Sequence, residues 1–544
     1  MTDLGLLALR RHARRLLAPW DGPGTPGATI GLVRDGALVL HESAGMASLE
    51  LGVPIGPETR FRIASVSKQF TCAAVLLMAE EGRLSPEDEV RTHLPELPAF
   101  GARITLDHLM RNSSGLRDVL ELMRMGGADL SPPRTADHLL AAIGRQRGLN
   151  FAPGSRFLYS NTGFLLLGRV VERVAGEALG AFLERRILAP LGMTRTRHTP
   201  STAELVPGLA TGYLPRDGEP GGFLRAQHGF PLGGEGGLVS CVEDLALWDA
   251  ALATGRAIGR GVAEALVAQA PLADGRMNRY ACGLDVARHR GLRTLDHGGL
   301  WPGFRTCFLR VPELALAVIA IANDNGADTH SLAHRMLDAA VEGMPGAHPV
   351  APLPPRAALE RLVGRWIEPA TATTVEFSLD AEGDPVATQH GVPFGLAPAE
   401  DGRLAARRGA FEFAVALPHG EALTVEAGAG EAEVFRRAPA EAALPRDLAG
   451  RYRCAELEAE WSFAAEEDGG DAMAVRVRGP MVAEAGPWPV TPIAPDALRV
   501  ATPGILFPGW LDVRVLRDAA PGGGIAGLSV SGARARDLRF DRLG

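Results

Sequence analysis

Lysine is almost absent from this chain of 544 residues. Lys68 is the single lysine, and the other 55 of the 56 basic side chains are arginine. A lysine can lose its proton when it is desolvated and can then act as a base, whereas a guanidinium stays charged at any working pH. A lone lysine among arginines therefore indicates a chemical role at position 68 rather than an ordinary surface charge.

Other scarcities exclude whole classes of protein. The five cysteines are an odd number without Cys-x-x-Cys spacing, which predicts reduced core residues and neither a disulfide framework nor a zinc site. No run of 18 apolar residues exists to span a bilayer. The net charge of -8 and the lack of a basic stripe argue against a nucleic-acid partner. The first 20 residues contain arginines and no cleavage signal, so we expect an amphipathic helix and a cytoplasmic protein.

Ser65 stands three residues before the lone lysine, and this pair is the strongest signal in the chain. Residues 66–81 read as a buried helix closed by Gly82, and positions i and i+3 of a helix share one face. At the first turn, the unpaired amides and the positive end of the helix dipole favour an oxyanion and disfavour a cation. The spacing predicts an activated serine nucleophile beside its own lysine base.

The chain divides into three predicted domains. Residues 1–343 alternate helical stretches with short strands, which is typical of an α+β domain with a mainly antiparallel sheet, and a proline-rich linker follows at 344–356. Beyond it, Gly364-Arg365-Trp366 matches Gly450-Arg451-Tyr452, and similar strands close the two copies at 433–437 and 538–542. We predict two antiparallel β-barrel domains, at 357–440 and 441–544. The second copy is 19 residues longer, with the insertion at 479–488 or 501–510.

Two further segments carry candidate groups for proton transfer and oxyanion binding. Tyr159 and Asn161 lead into a predicted helix, where the tyrosine hydroxyl could face a cleft instead of serving as a core residue. His297 precedes Gly298, Gly299 and Leu300, and glycines let backbone amides approach a ligand closely. A loop histidine is the simpler interpretation of that segment alone.

Together these motifs resemble the serine β-lactamase and penicillin-binding-protein family, in the branch that holds class C β-lactamases, D,D-carboxypeptidases and related esterases. The Ser-x-x-Lys, Tyr-x-Asn and His-x-Gly motifs occur in the family's order, and the phrases at 104–118, 151–168 and 233–248 are also similar. Most β-lactamases carry lysine where this chain has His297. The resemblance implies an α+β β-lactamase-like domain followed by two lipocalin-like barrels.

The resemblance also implies a role for each motif residue. Ser65 would attack a carbonyl carbon, Lys68 would take its proton, and Tyr159 would protonate the leaving amine. His297 would orient the substrate or the tyrosine hydroxyl, and Asn161 would hold the substrate amide. The substrate would further contact Gly298, Gly299 and Leu300, and the Leu300 amide would complete an oxyanion hole. No metal or cofactor is implied.

Over its whole length the chain resembles the D-stereospecific aminopeptidase branch of this family. In that branch a loop of the last barrel enters the active site and presents an acidic residue. We equate it with 501–510, and its predicted specificity residues are Pro503, Phe507, Trp510 and Asp512. The rival stretch, 479–488, holds Glu484.

The implied function is hydrolysis of small N-terminal D-residues, such as D-alanine or D-serine, from peptides, amides and esters, by a homodimer. Two alternatives stay open. One is a related esterase, D-amino-acid amidase, weak β-lactamase or D,D-peptidase with the same catalytic residues. The other is a noncatalytic ligand sensor acylated at Ser65.

Overall fold

The computed structural model describes residues 3–129, 132, 134–216, 218–229, 233–349, 351–399, 401–406, 413–427, 432–466, 472–503, 509–518 and 523–544. Among these residues, no helix is long and apolar enough to cross a membrane. The α+β fold class with two C-terminal barrels, predicted from the sequence, is confirmed.

An antiparallel sheet forms the centre of the first domain. In spatial order its strands are Asp285–His289, Leu292–Trp301, Phe304–Val311, Leu316–Ala322, Ala28–Arg34 and Ala37–Ala44. The strand Leu316–Ala322 is apolar and buried at every position, because helices cover both faces of the sheet. The strand Leu292–Trp301 pairs with Phe304–Val311 along its whole second half, from Leu295 to Trp301. Through this pairing, His297, Gly298 and Gly299 lie in the sheet next to the helical region.

Helices pack on the two faces of this sheet. On one face lie Asp3–Leu17 and Thr329–Val341, whose apolar sides join the strands in one core. The other face is covered by a larger helical region and its short connecting sheets. Its helices are Lys68–Glu80, Val90–His93, Leu106–Met110, Val119–Met125, Ala136–Gly144, Asn161–Ala175, Leu179–Leu183, Ala189–Leu191, Val242–Thr254 and Arg260–Val267. Its short strands are Met46–Ser48, Val53–Pro54, Phe61–Arg62, Arg197–His198, Tyr213–Pro215, Phe223–Arg225 and Leu238–Ser240.

The remaining residues with regular structure form two closed eight-stranded barrels, preceded by the short helix Arg356–Glu360. The strands of the first barrel are Gly364–Ile367, Thr374–Leu379, Pro385–Gln389, Val392–Pro398, Leu404–Ala406, Phe413–Val415, Ala422–Ala427 and Glu433–Arg437. Those of the second are Gly450–Cys454, Ala459–Ala465, Met473–Gly479, Val482–Ala494, Ala497–Thr502, Gly509–Arg517, Ile525–Ser531 and Leu538–Arg542. Buried residues alternate with exposed ones in these strands, as a barrel with a filled interior requires.

The helix Val119–Met125 joins the first domain to the second barrel. Leu122 and Met125 belong to the hydrophobic core of that barrel, and the Trp461 indole donates to the Met125 carbonyl over 3.0 Å. At one end of the helix, Arg117 forms an ion pair with Glu456 over 2.6 Å. The second barrel is therefore fixed against the segment of the first domain that leads to the candidate site.

Candidate active site

Ser65 lies in the 3₁₀ turn Ala64–Ser67, directly before the helix Lys68–Glu80. The predicted helix thus begins two residues later than its sequence suggests, but the pair still meets: Lys68 Nζ donates to Ser65 Oγ over 3.0 Å. Ala64 has φ +48°, a left-handed conformation that L-residues seldom adopt, so the backbone is strained next to the serine.

Three acceptors hold the lysine ammonium in place. Besides Ser65 Oγ, Nζ donates to Asn161 Oδ1 over 2.9 Å and to the Glu235 carbonyl over 2.6 Å. Asn161 is itself fixed, since its backbone N–H donates to Asp118 Oδ2 over 2.7 Å. All three bonds of the ammonium point at fixed partners, which fixes its orientation toward the serine.

Burial makes Lys68 able to serve as a base. Its side chain is fully buried, and desolvation lowers its pKa to about 7; the Glu235 carboxylate raises that pKa and Arg534 lowers it further. Burial also raises the pKa of Glu235. A neutral fraction of Lys68 is therefore present near neutral pH, and neutral lysine accepts the serine proton.

We expect acylation by p-nitrophenyl acetate to increase as pH rises through about 7, because protonated Lys68 cannot accept the serine proton. This ester carries no amine, so substrate titration does not enter the profile. Stopped-flow measurement of the burst rate from pH 5 to 9 tests this. Glu235→Gln removes a charge that raises the Lys68 pKa and should move the limb to lower pH. A flat profile would contradict the base role.

Tyr159 completes a triad with Ser65 and Lys68. Its hydroxyl hydrogen-bonds with Ser65, and Lys68 Nζ lies 4.9 Å from the centre of its ring. Burial raises the pKa of Tyr159, with the Arg534 charge and the Ser65 hydrogen bond acting in the opposite direction. The phenol is therefore protonated when Lys68 is neutral, so the pair holds one acid and one base.

His297 packs against the tyrosine and is not among the described residues that line the cavity. Burial lowers the pKa of His297 to about 3, so the ring is neutral at working pH. Its Nδ1–H donates to the Gly298 carbonyl over 2.7 Å, since a carbonyl only accepts, and Nε2 accepts from the Tyr280 hydroxyl over 2.7 Å. Both nitrogens are occupied, while the ring packs 5.9 Å from that of Tyr159. In this structure His297 supports the position of Tyr159 by packing.

The two glycines after His297 allow the sheet edge to approach the serine turn. A Cβ at Gly299 would lie 2.3 Å from the Ile63 carbonyl oxygen, and one at Gly298 would lie 2.2 Å from the His330 ring. A cavity of about 190 Å³ opens between this edge and the turn. Its wall includes the predicted residues Ser65, Tyr159, Asn161, Gly298, Gly299 and Leu300.

Both barrels reach the cavity. The first contributes His390 and Val392, and the second contributes Ala533 and Arg534 from the connection between its last two strands. Sequence reasoning missed these four residues, since contact between distant domains leaves no local pattern. It also assigned no role to Tyr280 or Glu235.

The predicted specificity loop is described in part. Phe507 lies outside the described residues, and so does the rest of 504–508, so the entry of this loop into the site stays a prediction. Asp512 is buried at the contact between the barrels, where it accepts from the amide and hydroxyl of Thr374. Trp510 stacks against Arg499, whose guanidinium carbon lies 3.9 Å from the ring centre. Pro503 follows Thr502, whose hydroxyl accepts from Arg124 in the cavity wall over 3.0 Å.

The rival loop, 479–488 of the second barrel, packs on the first domain away from the cavity. Glu484 is on the surface and pairs with Arg476 and Arg478, and it is not among the described residues that line the cavity. A Cβ at Gly127 would meet Val482 and Ala485 at about 3 Å, so this hairpin packs on the end of the helix Val119–Met125.

A serine held by a neutralisable lysine and a protonated tyrosine, at the edge of an antiparallel sheet, defines an acyl-transfer site of a serine hydrolase. Within the described part of the chain, no cluster of three or more His, Cys, Asp or Glu side chains could hold a metal ion. The Beta-lactamase family model matches residues 9–341, and the chain belongs to that family.

Known proteins share more than this domain. A D-aminopeptidase of Cereibacter sphaeroides is 29% identical over 527 residues, which is 95% of this chain and 96% of that protein. The octameric penicillin-binding protein homologue from Pyrococcus abyssi matches 80% of this chain and 100% of its own, with a TM-score of 0.56 and 23% identity, and supports the fold. The D-amino acid amidase from Ochrobactrum anthropi SV3 matches 62% of this chain and 99% of its own, with a TM-score of 0.53 and 25% identity.

Proposed function

We propose that the protein is a D-stereospecific aminopeptidase, which releases a small N-terminal D-residue from peptides, amides and esters through an acyl-enzyme at Ser65. The observation that carries the proposal is the contact of Lys68 with Ser65 in a cavity whose wall includes both barrels. The similarity to D-aminopeptidases likewise extends over the barrels, at 95% of this chain. Stereospecificity rests on those relatives and on the amidase.

The proposed mechanism uses one acid and one base. Neutral Lys68 takes the Ser65 proton as Oγ attacks the carbonyl carbon, and the amides of Ser65 and Leu300 stabilise the oxyanion. Tyr159 protonates the leaving nitrogen and is reprotonated from Lys68. Water then attacks the acyl-enzyme with the same groups acting in reverse.

The charges in the cavity wall suit a substrate with a free amine. Carboxylates of Asp118, Glu121, Glu235 and Asp328 belong to the wall. Glu235 Oε2 is buried and has no hydrogen-bond partner among the described residues. An N-terminal ammonium would supply such a partner, and the small cavity volume favours a short side chain.

Release of p-nitroaniline from D-alanine p-nitroanilide, compared with its L-isomer and with a chromogenic cephalosporin, tests the proposal. We expect at least about a hundredfold higher kcat/KM for the D-isomer, equivalent to about 2.7 kcal/mol of transition-state discrimination. Turnover of the cephalosporin or of a simple ester alone would move the protein to the esterase or β-lactamase alternative. A single burst without turnover would indicate the sensor.

A further inference from the structure

The connection between the last two strands of the second barrel, residues 532–537, places an arginine over the catalytic tyrosine. The guanidinium carbon of Arg534 lies 4.6 Å from the centre of the Tyr159 ring. Ala533 and Arg534 line the same cavity as Ser65. The second barrel therefore supplies a positive charge to the site, a different contribution from the acidic loop that the sequence suggested.

This connection is held firmly against the first domain. The Arg534 carbonyl accepts from the Asp118 amide and from Asn150 Nδ2, each over 3.1 Å. In return, Asn150 Oδ1 accepts from the Arg536 amide over 2.9 Å. Since Asp118 also anchors Asn161, which binds Lys68, the arginine and the catalytic lysine share one chain of hydrogen bonds. The backbone at Arg534 is thus held in place before a substrate binds.

The Arg534 guanidinium contacts the Tyr159 ring and forms no close ion pair with a described carboxylate. The carboxylates of Asp118, Glu121, Glu235 and Asp328 line the same cavity without pairing directly with Arg534. Neighbouring arginines differ in this respect, because Arg117 pairs with Glu456 and Arg124 pairs with Glu121. A guanidinium that forms no ion pair in a cavity wall can bind an anion, and its planar fork fits a carboxylate best.

The position of Arg534 indicates which part of a substrate it would meet. Tyr159 delivers a proton to the leaving nitrogen in the proposed mechanism, so a group stacked on Tyr159 lies beside the leaving portion and not beside the acyl portion. In a dipeptide, the leaving amino acid carries its α-carboxylate two bonds from that nitrogen. A carboxylate there comes within reach of the Arg534 side chain.

We propose that Arg534 binds the α-carboxylate of the leaving residue, which makes dipeptides with an N-terminal D-residue the preferred substrates. The inference rests on the proposed function and narrows its substrate class. The C–N bond breaks as the Ser65 ester forms, the Ser65 proton passes to Lys68, and the nitrogen receives the Tyr159 proton. A free amino acid then leaves with its carboxylate at Arg534, and water hydrolyses the ester.

The test compares D-alanyl-glycine with D-alanyl-glycinamide, which differ only in the carboxylate. Wild-type kcat/KM should be at least about tenfold higher for the dipeptide. Arg534→Gln should lower kcat/KM for the dipeptide at least about tenfold more than for the amide, mainly through KM, because only the dipeptide has the carboxylate. A change that follows from the loss of the Arg534 charge beside Lys68 affects both substrates alike. Arg534→Lys should retain part of the preference. Arg539→Gln is the matched control, because Arg539 lies in the next strand, pairs with Asp541 and is outside the described cavity wall.

Each outcome bears on the proposal separately from the proposed function. Equal wild-type rates on the two substrates, with D-alanine p-nitroanilide still hydrolysed, would overturn the carboxylate site and leave the aminopeptidase intact. Equal losses on both substrates in Arg534→Gln would also overturn it, since they would mean that Arg534 acts on the catalytic groups. No turnover of any D-alanyl substrate would overturn both. The wild-type comparison needs no variant, so a variant that fails to fold does not remove the test.

Discussion

Lys68→Arg should lose at least about a thousandfold of kcat/KM for D-alanine p-nitroanilide while the protein stays folded. Arginine keeps the positive charge but does not deprotonate, so the Ser65 proton loses its acceptor. The site of Lys68 is fully buried and offers three fixed acceptors. A guanidinium placed there would donate to these acceptors and stay charged. The measurement is steady-state kinetics with circular dichroism and thermal unfolding of the same preparation.

Two further variants make this result interpretable. Lys68→Met is neutral and similar in length, and it should be as inactive as the arginine variant if proton transfer is the function of the lysine. Ser67→Ala is the matched control in the same turn, since Ser67 Oγ accepts from the Leu238 amide over 3.0 Å. It should cost about 1 kcal/mol of stability and leave most activity. Substantial turnover by Lys68→Arg would refute the base role.

Tyr159→Phe should lower kcat/KM for D-alaninamide by about 10² to 10⁴, because the leaving nitrogen must be protonated before it departs. The loss should be smaller for the p-nitrophenyl ester of D-alanine, whose leaving group departs as an anion. The phenyl ring keeps the packing against Arg534 and His297. Parallel assays of the amide and the ester measure the difference.

Tyr280→Phe is the comparison for this variant. Tyr280 is fully buried, packs edge-on at 6.1 Å from Tyr159 and donates to His297, but it is not among the described residues of the cavity wall. Its loss should stay below about tenfold, since Tyr280 contacts Tyr159 and His297 and transfers no proton in the proposed mechanism. Equal losses in the two variants, or equal losses on amide and ester, would refute proton donation by Tyr159.

The fold was predictable where the sequence pattern is local. The helix predicted to follow Tyr159 and Asn161 is present as Asn161–Ala175. The repeated Gly-Arg-aromatic starts at Gly364 and Gly450 open the two barrels. These features depend on periodicity and on turn residues, which neighbouring positions contain.

The extra length of the second barrel was harder to place. The sequence placed the extra residues at 479–488 or 501–510. Most of the first stretch lies in the strand Val482–Ala494, which has 13 residues against 7 in Val392–Pro398. Bulges in that strand absorb residues without changing the number of strands. A strand that lengthens by bulges leaves no composition signal, so residue counting could not distinguish it from a loop.

By itself, the sequence determined that Ser65 and Lys68 are neighbours. Residues three apart in a helical turn lie side by side, whatever packs around the turn. Tertiary structure alone decided which groups surround this lysine, that His297 faces Tyr280 and that Arg534 lies on Tyr159. Arg534 is 375 positions from Tyr159 in the chain. Desolvation and contact over such separations depend on how whole domains pack, and no short stretch of residues encodes that packing.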